Sequence, residues 1–293
     1  MRTKRLQSAM EYLMTYGWAI LAIAIVMVSL YSLGIFSLGN LQPTATPGSC
    51  QVIRTTAQTS LAGQCNNLIP KYVGSFNGAN SYISVPDAKV QRSMTTASFI
   101  GWIYTATTDA SSYDMMIAKY ATNQIGYNFY LSGGSLRCSL YNASGNSVDH
   151  AMAPNLHDGK WHFVACTYNG STMTLYEDGK FLASWTGTWQ QTGSWTLNPL
   201  GLGYRGYGGT LYCNCYLSNL QIYNSSLDSS SIKALYLEGI GGVPIDLQDL
   251  VAWYPLNGNA NDYSGLNSNA NLSGIVNTVW NANWQSGYKA PTS

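Results

Sequence analysis

Side chains able to do acid–base work are few in this sequence, and they are scattered. The only glutamates are Glu11, Glu177 and Glu238, and the histidines are His150, His157 and His162. Retaining glycoside hydrolysis needs two carboxyl groups about 5 Å apart, one as acid and one as nucleophile. Glu177 and Asp178 are adjacent, but they sit in the turn-forming string YEDGK, where a solvated pair is expected. His162 lies in the apolar run WHFVACTY and reads as a structural strand residue, while His150 and His157 read as isolated loop residues. No Ser, His and Asp arrangement matches a nucleophilic triad. The sequence therefore predicts no catalytic residue and a protein that is not an enzyme.

Six cysteines, Cys50, Cys65, Cys138, Cys166, Cys213 and Cys215, form the second chemical set. Outside the cell an even count reads as three disulfides. Cys50 with Cys65 would close a short loop, and the other four allow three pairings. Cys213 and Cys215, two apart on a strand, point to one face and stand too far apart to bond while extended. The expectation is that Cys138 and Cys166 each take one of them. A zinc site from Cys213 and Cys215 competes, but C-x-C lacks a second close pair. Glycosylation sequons stand at Asn142, Asn169, Asn224 and Asn271. Between Phe181 and Tyr207 aromatics crowd among Gly, Thr and Gln. Trp189, Trp195, Tyr204 and Tyr207 are the candidate carbohydrate-binding residues, against the competing use of aromatics in a core or filament interface.

From about residue 71 the chain is a series of short runs broken by Gly, Asn, Asp and Pro. SYISV, SFIGWIY, YNFYLSG, SLRCSLYN, WHFVACTY, MTLYEDG and LSNLQIY each read as a strand. Asp178-Gly179 is a hairpin turn, and one short helix is predicted over Asp228–Leu237. Many strands with turns between them make the class mainly β, a sandwich or jelly roll. Charge is scarce: 9% of residues, with a formal net charge of +1. A chain this neutral lacks the clustered cations that nucleic acid requires, and its 13% aromatic content excludes a disordered tail.

The N-terminus is organised differently. After Arg2, Lys4, Arg5 and Glu11, no charged residue occurs until Arg54. Gly17–Leu38 is a charge-free apolar run that as a helix would extend about 33 Å, the thickness of a bilayer's hydrocarbon. The cations ahead of it predict a cytoplasmic N-terminus, with everything after residue 40 outside. A cleaved secretory peptide would have a shorter apolar region and a small-residue cleavage site. The stretch KRLQSAMEYLMTYGWAILAIAIV resembles the archaeal class III signal segment of type IV pilin-like proteins. That resemblance implies a prepilin peptidase cut before Gln7, with Glu11 at the fifth position of the mature chain. Leu6 departs from the small residue, often Gly, that usually precedes the cut. A lone carboxylate beside an apolar helix needs a partner in lipid, and the freed α-amine of Gln7 on a neighbouring subunit would supply one. The alternative is an ordinary signal anchor in membrane lipid, with Glu11 at the headgroups.

FNGANSYISVP, ASFIGWIY, DGKWHFVACTYNGSTMTLYEDGK and YLSNLQIYNSSLDSSSIKALY resemble, in order, the pattern of laminin-G-like, concanavalin A-like jelly rolls. The string LVAWYPLNGNANDYSGLNSNANLSG, beginning at Leu250, resembles the strand that normally opens such a domain. This implies either a second domain cut short or, as preferred here, one circularly permuted jelly roll. Glucanases of this fold carry E-x-D-x-E or a near variant, which no glutamate here fits. Relatives often bind calcium through oxygen ligands. Asp262 matches a commonly acidic position, while Asn219 falls where the family often has a carboxylate.

The expected organisation is a basic leader (1–6), a hydrophobic pilin-like or transmembrane helix (7–40), a Pro/Thr/Ser-rich linker with the Cys50–Cys65 loop (41–70) and a jelly roll (71–293), with 249–293 supplying its usual first strand. The expected function is structural and adhesive at the cell surface: the helix packs with copies of itself into a filament core, and the jelly roll is displayed outward for surface or glycan contact. The alternative is a monomeric membrane-anchored carbohydrate-binding protein; an extracellular glycan-active enzyme is disfavoured by the carboxylates. No cofactor is expected; bound calcium is the alternative, with Asp262 and Asn219 as its candidate ligands.

Overall fold

Strands whose residues are apolar on both faces have to lie at the centre of the molecule, and two do. In a computed structural model, β7 (Ala97–Tyr104) and β12 (Trp161–Tyr168) pair antiparallel along their full length and are almost entirely buried. The structure describes residues 3–32, 44–45, 48–66, 68–92, 94–105, 113–144, 147–152, 155–207, 211–266 and 279–280. They fall into two units, 1–43 and 44–293.

The first unit contains α1 (Thr3–Ser32). The helix begins inside the basic leader and runs unbroken through Leu6, Gln7 and Glu11, because Lys, Arg, Leu, Gln, Ala, Met and Glu all favour it. Among the described residues no helix is long and apolar enough to cross a membrane. Trp18, Ile20, Ile23 and Val28 are exposed along this stretch. Residues 33–43 of the expected anchor and linker lie outside the described residues.

The second unit is a sandwich. Before it come β1 (Thr44–Ala45), β2 (Cys50–Arg54), β3 (Thr59–Gly63) and β4 (Ile69–Pro70). One sheet of six has the order β11 (Ser147–Met152), β10 (Ser135–Tyr141), β9 (Gly126–Ser132), β8 (Tyr113–Lys119), β15 (Leu200–Leu202), β6 (Ile83–Val85). The other, of eight, runs β14 (Lys180–Thr186), β13 (Thr172–Glu177), β12, β7, β18 (Asn214–Tyr223), β5 (Gly74–Asn77), β20 (Val279–Trp280), with β19 (Leu250–Tyr254) also on β18. A separate pair, β16 (Tyr204–Arg205) and β17 (Leu211–Tyr212), completes the strands.

Between the sheets Phe99, Tyr127, Phe129, Leu131, Val164, Leu175 and Leu217 form the main core. A second core lies on the other face of the eight-stranded sheet, where Trp102, Phe163, Tyr223 and Trp253 meet Ile232 and Leu235 of α2 (Ser229–Glu238). Asp228 caps α2, its carboxylate accepting from the Ser231 amide at 2.7 Å. Val52 belongs to this second core, and the Arg54 guanidinium donates to the carbonyls of Leu247 (2.8 Å), Leu250 (2.7 Å) and Ser264 (2.9 Å). The β2–β3 hairpin, read in the sequence as part of a linker, is thus packed on the sandwich.

β18 is long enough to take two partners along one edge. Its residues 214–217 pair with β5, and 220–223 pair with β19. Every residue of β19 is buried. The C-terminal string beginning at Leu250 is therefore a strand of the eight-stranded sheet; residues 267–278 and 281–293 lie outside the described residues.

Cys50 bonds Cys65 as expected. The other pairing is corrected: Cys138 bonds Cys166, and Cys213 bonds Cys215. Cys138 on β10 and Cys166 on β12 both point into the main core from opposite sheets, so the bond crosses the sandwich. Cys213 precedes the first residue of β18, so the extended geometry that would separate it from Cys215 does not hold, and their Cα atoms are 5.4 Å apart.

Candidate ligand-binding face

On β9 and β10 side chains alternate between the core and the opposite, outer face of the six-stranded sheet. Tyr127, Phe129 and Leu131, with Leu136, Cys138 and Leu140, take the core. Asn128, Tyr130, Arg137, Ser139 and Tyr141 consequently take the outer face. The register lines up Ser84, Gly201, Ala118, Asn128, Ser139 and Asp149 across the sheet. This row is small at one end and polar at the other.

At the polar end the Ser139 hydroxyl donates to Asp149 at 2.8 Å, and Arg137 stands 3.7 Å from the same carboxylate. Burial pushes the Tyr141 phenol up, against the opposing pull of Ser139 and Asn128. The Asn128 amide is sealed from water without a hydrogen bond of normal geometry. At the small end, Gly201 has no Cβ because Tyr204 occupies its space: a Cβ there would lie 2.3 Å from the Tyr204 carbonyl and 2.9 Å from its ring. Tyr204 packs between Tyr82, with centroids 4.4 Å apart, and Tyr212, stacked at 6.1 Å.

Beside them opens a cleft of about 160 Å³ lined by Ala118, Tyr120, Asn198, Tyr204, Arg205 and Tyr207. The Arg205 guanidinium lies 5.2 Å from the centre of the Tyr120 ring, within cation–π range. Tyr120 in turn meets Tyr141 edge-on at 4.7 Å. Tyr207 is 57% exposed. Phenol faces, a guanidinium and an amide around a small cleft can stack on one ring-sized polyhydroxy group and hydrogen-bond its rim. The volume is below the roughly 300–1,000 Å³ of drug-sized sites.

Four aromatics were expected to bind carbohydrate, and the structure divides them. Tyr204 and Tyr207 share the cleft. Trp189 is buried in the main core, donating its indole N–H to the Tyr141 carbonyl at 2.8 Å. Trp195 packs edge-on against Trp189 at 5.4 Å, at the border of the same core. Arg205, Tyr120 and Tyr141 were not found from the sequence, although the period of two in YNFYLS and SLRCSLY already assigns the outer face.

The candidate calcium ligands both accept hydrogen bonds within the protein. Asp262 accepts from the Trp253 amide (3.1 Å), the Ser264 amide (2.9 Å) and the Ser264 hydroxyl (2.9 Å). Asn219 Oδ1 accepts from the Trp253 indole (2.8 Å) and Gln221 (3.0 Å). Both side chains thus help to hold the backbone and indole of Trp253 in place. Of the sequons, Asn169 and Asn224 are exposed and Asn142 is buried, while Asn271 lies outside the described residues. His150 stands on β11, stacked on Trp185 at 4.6 Å, and His157 is buried against Asp114 at 2.9 Å, so neither is an isolated loop residue.

Among solved structures the chain is similar to a heptameric SAP-like pentraxin from Limulus polyphemus (14% identity, TM-score 0.43, 59% of this chain and 84% of that one). It is also similar to domains LG4-5 of the mouse laminin alpha1 chain (21%, 0.43, 55% and 45%) and to the binding domain of Paraclostridial Mosquitocidal Protein 1 (14%, 0.44, 66% and 46%). No curated protein matches it. The laminin-G-type family model of the concanavalin A-like lectin/glucanases superfamily matches residues 77–233. That match spans more than half of the chain, which therefore belongs to the concanavalin A-like lectin/glucanases superfamily.

Proposed function

We propose that this protein is a non-enzymatic, surface-displayed binding module whose jelly roll contacts glycans through the cleft of Tyr120, Tyr204, Arg205 and Tyr207. The observation that carries this reading is the convergence of phenol faces and one guanidinium beside a polar row on the outer sheet face. The three disulfides and the exposed sequons at Asn169 and Asn224 support an extracellular setting. The pairing of β19 with β18 supports reading the domain as permuted, its C-terminal strand taking the place of the usual first one.

The test is binding of neutral oligosaccharides to the full chain, read by saturation-transfer NMR. Arg205→Ala and Tyr207→Ala should abolish transfer without moving the melting temperature. Unchanged transfer in both variants, or no transfer from any neutral glycan, would refute the assignment.

A second reading concerns α1, whose apolar side chains between Trp18 and Val28 are exposed. Such a helix needs a cover, and packing against copies of itself after a cut before Gln7 supplies one; lipid is the other. The N-terminal residue of the native surface protein discriminates them. A start at Gln7 fits assembly by way of prepilin peptidase, and an intact Met1 fits a monomeric anchor.

A further inference from the structure

The hairpin joining β13 to β14 turns on Asp178 (φ 48°) and Gly179 (φ 72°), both left-handed, as a two-residue turn of this hand requires. Glycine is demanded at 179 for a second reason, since a Cβ there would lie 2.8 Å from the Tyr236 ring. The turn is locked to β12: the Asp178 amide donates to the Phe163 carbonyl at 2.8 Å, and the Phe163 amide donates to Asp178 Oδ1 at 3.0 Å. This lock brings Glu177 and Asp178 over His162, whose residue is only 9% exposed.

His162 Nε2 lies 3.1 Å from Asp158 Oδ1, a hydrogen bond. Nδ1 faces the other way, 3.4 Å from Glu177 Oε1 and 3.5 Å from Asp178 Oδ2, and makes no hydrogen bond. Those distances exceed the 2.7–3.2 Å of a hydrogen bond. They match the edge of a coordination tetrahedron: bonds of about 2.0–2.2 Å put neighbouring ligand atoms about 3.3–3.6 Å apart. Asp178 Oδ1 is held by the backbone, leaving Oδ2 for this purpose.

We propose that His162 Nδ1, Glu177 Oε1 and Asp178 Oδ2 are the protein ligands of a divalent transition-metal ion, zinc by the chemistry of the donors, with a fourth position open to water. An imidazole with two carboxylates is a zinc-type set, whereas calcium prefers oxygen alone. Asp158 completes the arrangement from behind, fixing the tautomer and ring orientation through Nε2, as carboxylates commonly do for a metal-bound histidine. Glu177 and Asp178 side chains are 23% and 36% exposed, which gives the ion its route in.

The test uses the full chain stripped with chelator and titrated with Co²⁺, whose visible absorption reports tetrahedral coordination, followed by displacement with Zn²⁺. Wild type should bind one equivalent saturably, and Ca²⁺ at equal concentration should not displace it. Glu177→Gln and Asp178→Asn keep the side-chain shape and should each weaken binding at least tenfold at a temperature where circular dichroism shows the metal-free variants fully folded. Asp158→Asn should cost 10–100-fold through loss of orientation. Glu238→Gln, on the exposed side of α2, should bind as wild type. Weak binding of several equivalents, or Glu177→Gln and Asp178→Asn both equal to wild type, would mean adventitious surface binding and overturn the site.

Discussion

Deleting residues 250–293 tests whether the C-terminal strand is part of the sandwich or an appendage. β19 buries Leu250, Val251, Trp253 and Tyr254, and Leu256 follows them into the main core. At about 1.5–3 kcal/mol for each fully buried large apolar side chain, these five contribute roughly 7–15 kcal/mol. The whole net stability of a domain is about 5–15 kcal/mol. The deletion also strips the Trp253 indole from Asn219 and two carbonyl acceptors from Arg54, and it bares the edge of β18 from Leu220 to Tyr223. An uncovered apolar edge pairs with other chains. The 1–249 protein should therefore aggregate and show no cooperative melt in near-ultraviolet circular dichroism, beside the full chain under the same conditions. Joining 250–266 ahead of residue 71 through a flexible linker should restore the melt. A soluble 1–249 protein that melts cooperatively within a few degrees of the full chain would refute the reasoning.

Three further outcomes are expected. In the metal-free protein, burial resists charge on His162, but the carboxylates of Asp178, Glu177 and Asp158 outweigh it and lift its pKa to about 10, with Lys160 engaged on Asp158. Its contribution to stability is complete below about pH 6.5 and is lost as pH rises through 10; melting temperature should fall over that window in wild type and less in His162→Gln. Replacing Cys138 and Cys166 by alanine opens a bond with a sequence separation of 28 and should cost about 3–4 kcal/mol by calorimetry, whereas replacing Cys213 and Cys215, separated by 2, should cost much less. Trp189→Ala should destabilise by about 3–5 kcal/mol in chemical denaturation, while Tyr207→Ala should leave stability unchanged.

The strands were legible because each is a short apolar or alternating run ended by a turn residue. SFIGWIY and WHFVACTY name the two central strands almost to the residue. The helix over Ser229–Glu238 was legible from its cap, Asp228. The disulfides were harder, because pairing depends on which sheet a strand joins: Cys138 and Cys166 are 28 residues apart along the chain but face each other across the core. Trp189 and Tyr207 show the same limit for the site. Both are aromatic in a Gly/Thr-rich stretch, and only the fold sends one into the core and the other into solvent. His162 with Glu177 and Asp178 was within reach of the sequence. Pairing WHFVACTY with MTLYE across the NGS turn sets Val164 opposite Glu177, and the next turn residue then lies over His162.

The scarcity of charge follows from how the carboxylates are used. Asp87 holds the fully buried Lys119 at 2.7 Å as well as Arg92 at 3.1 Å, and Asp114 joins His157 to the Asn214 amide. Asp228 caps a helix, Asp246 accepts from Ser225, Asp262 closes the turn after β19, and Asp178 locks a hairpin. At Asp87, Asp114 and Asp262 the carboxylates satisfy donors that burial would otherwise strand, at a cost of about 1–3 kcal/mol apiece. The outer face of the six-stranded sheet offers phenols, amides and Arg205 for recognition. Uncharged, hydroxyl-rich ligands suit such groups, because they bind through stacking and neutral hydrogen bonds that salt does not screen. Glycan binding by the Tyr204–Tyr207 cleft should accordingly persist at 1 M NaCl, and a tenfold loss of affinity there would point to an anionic ligand held by Arg205 and Arg137.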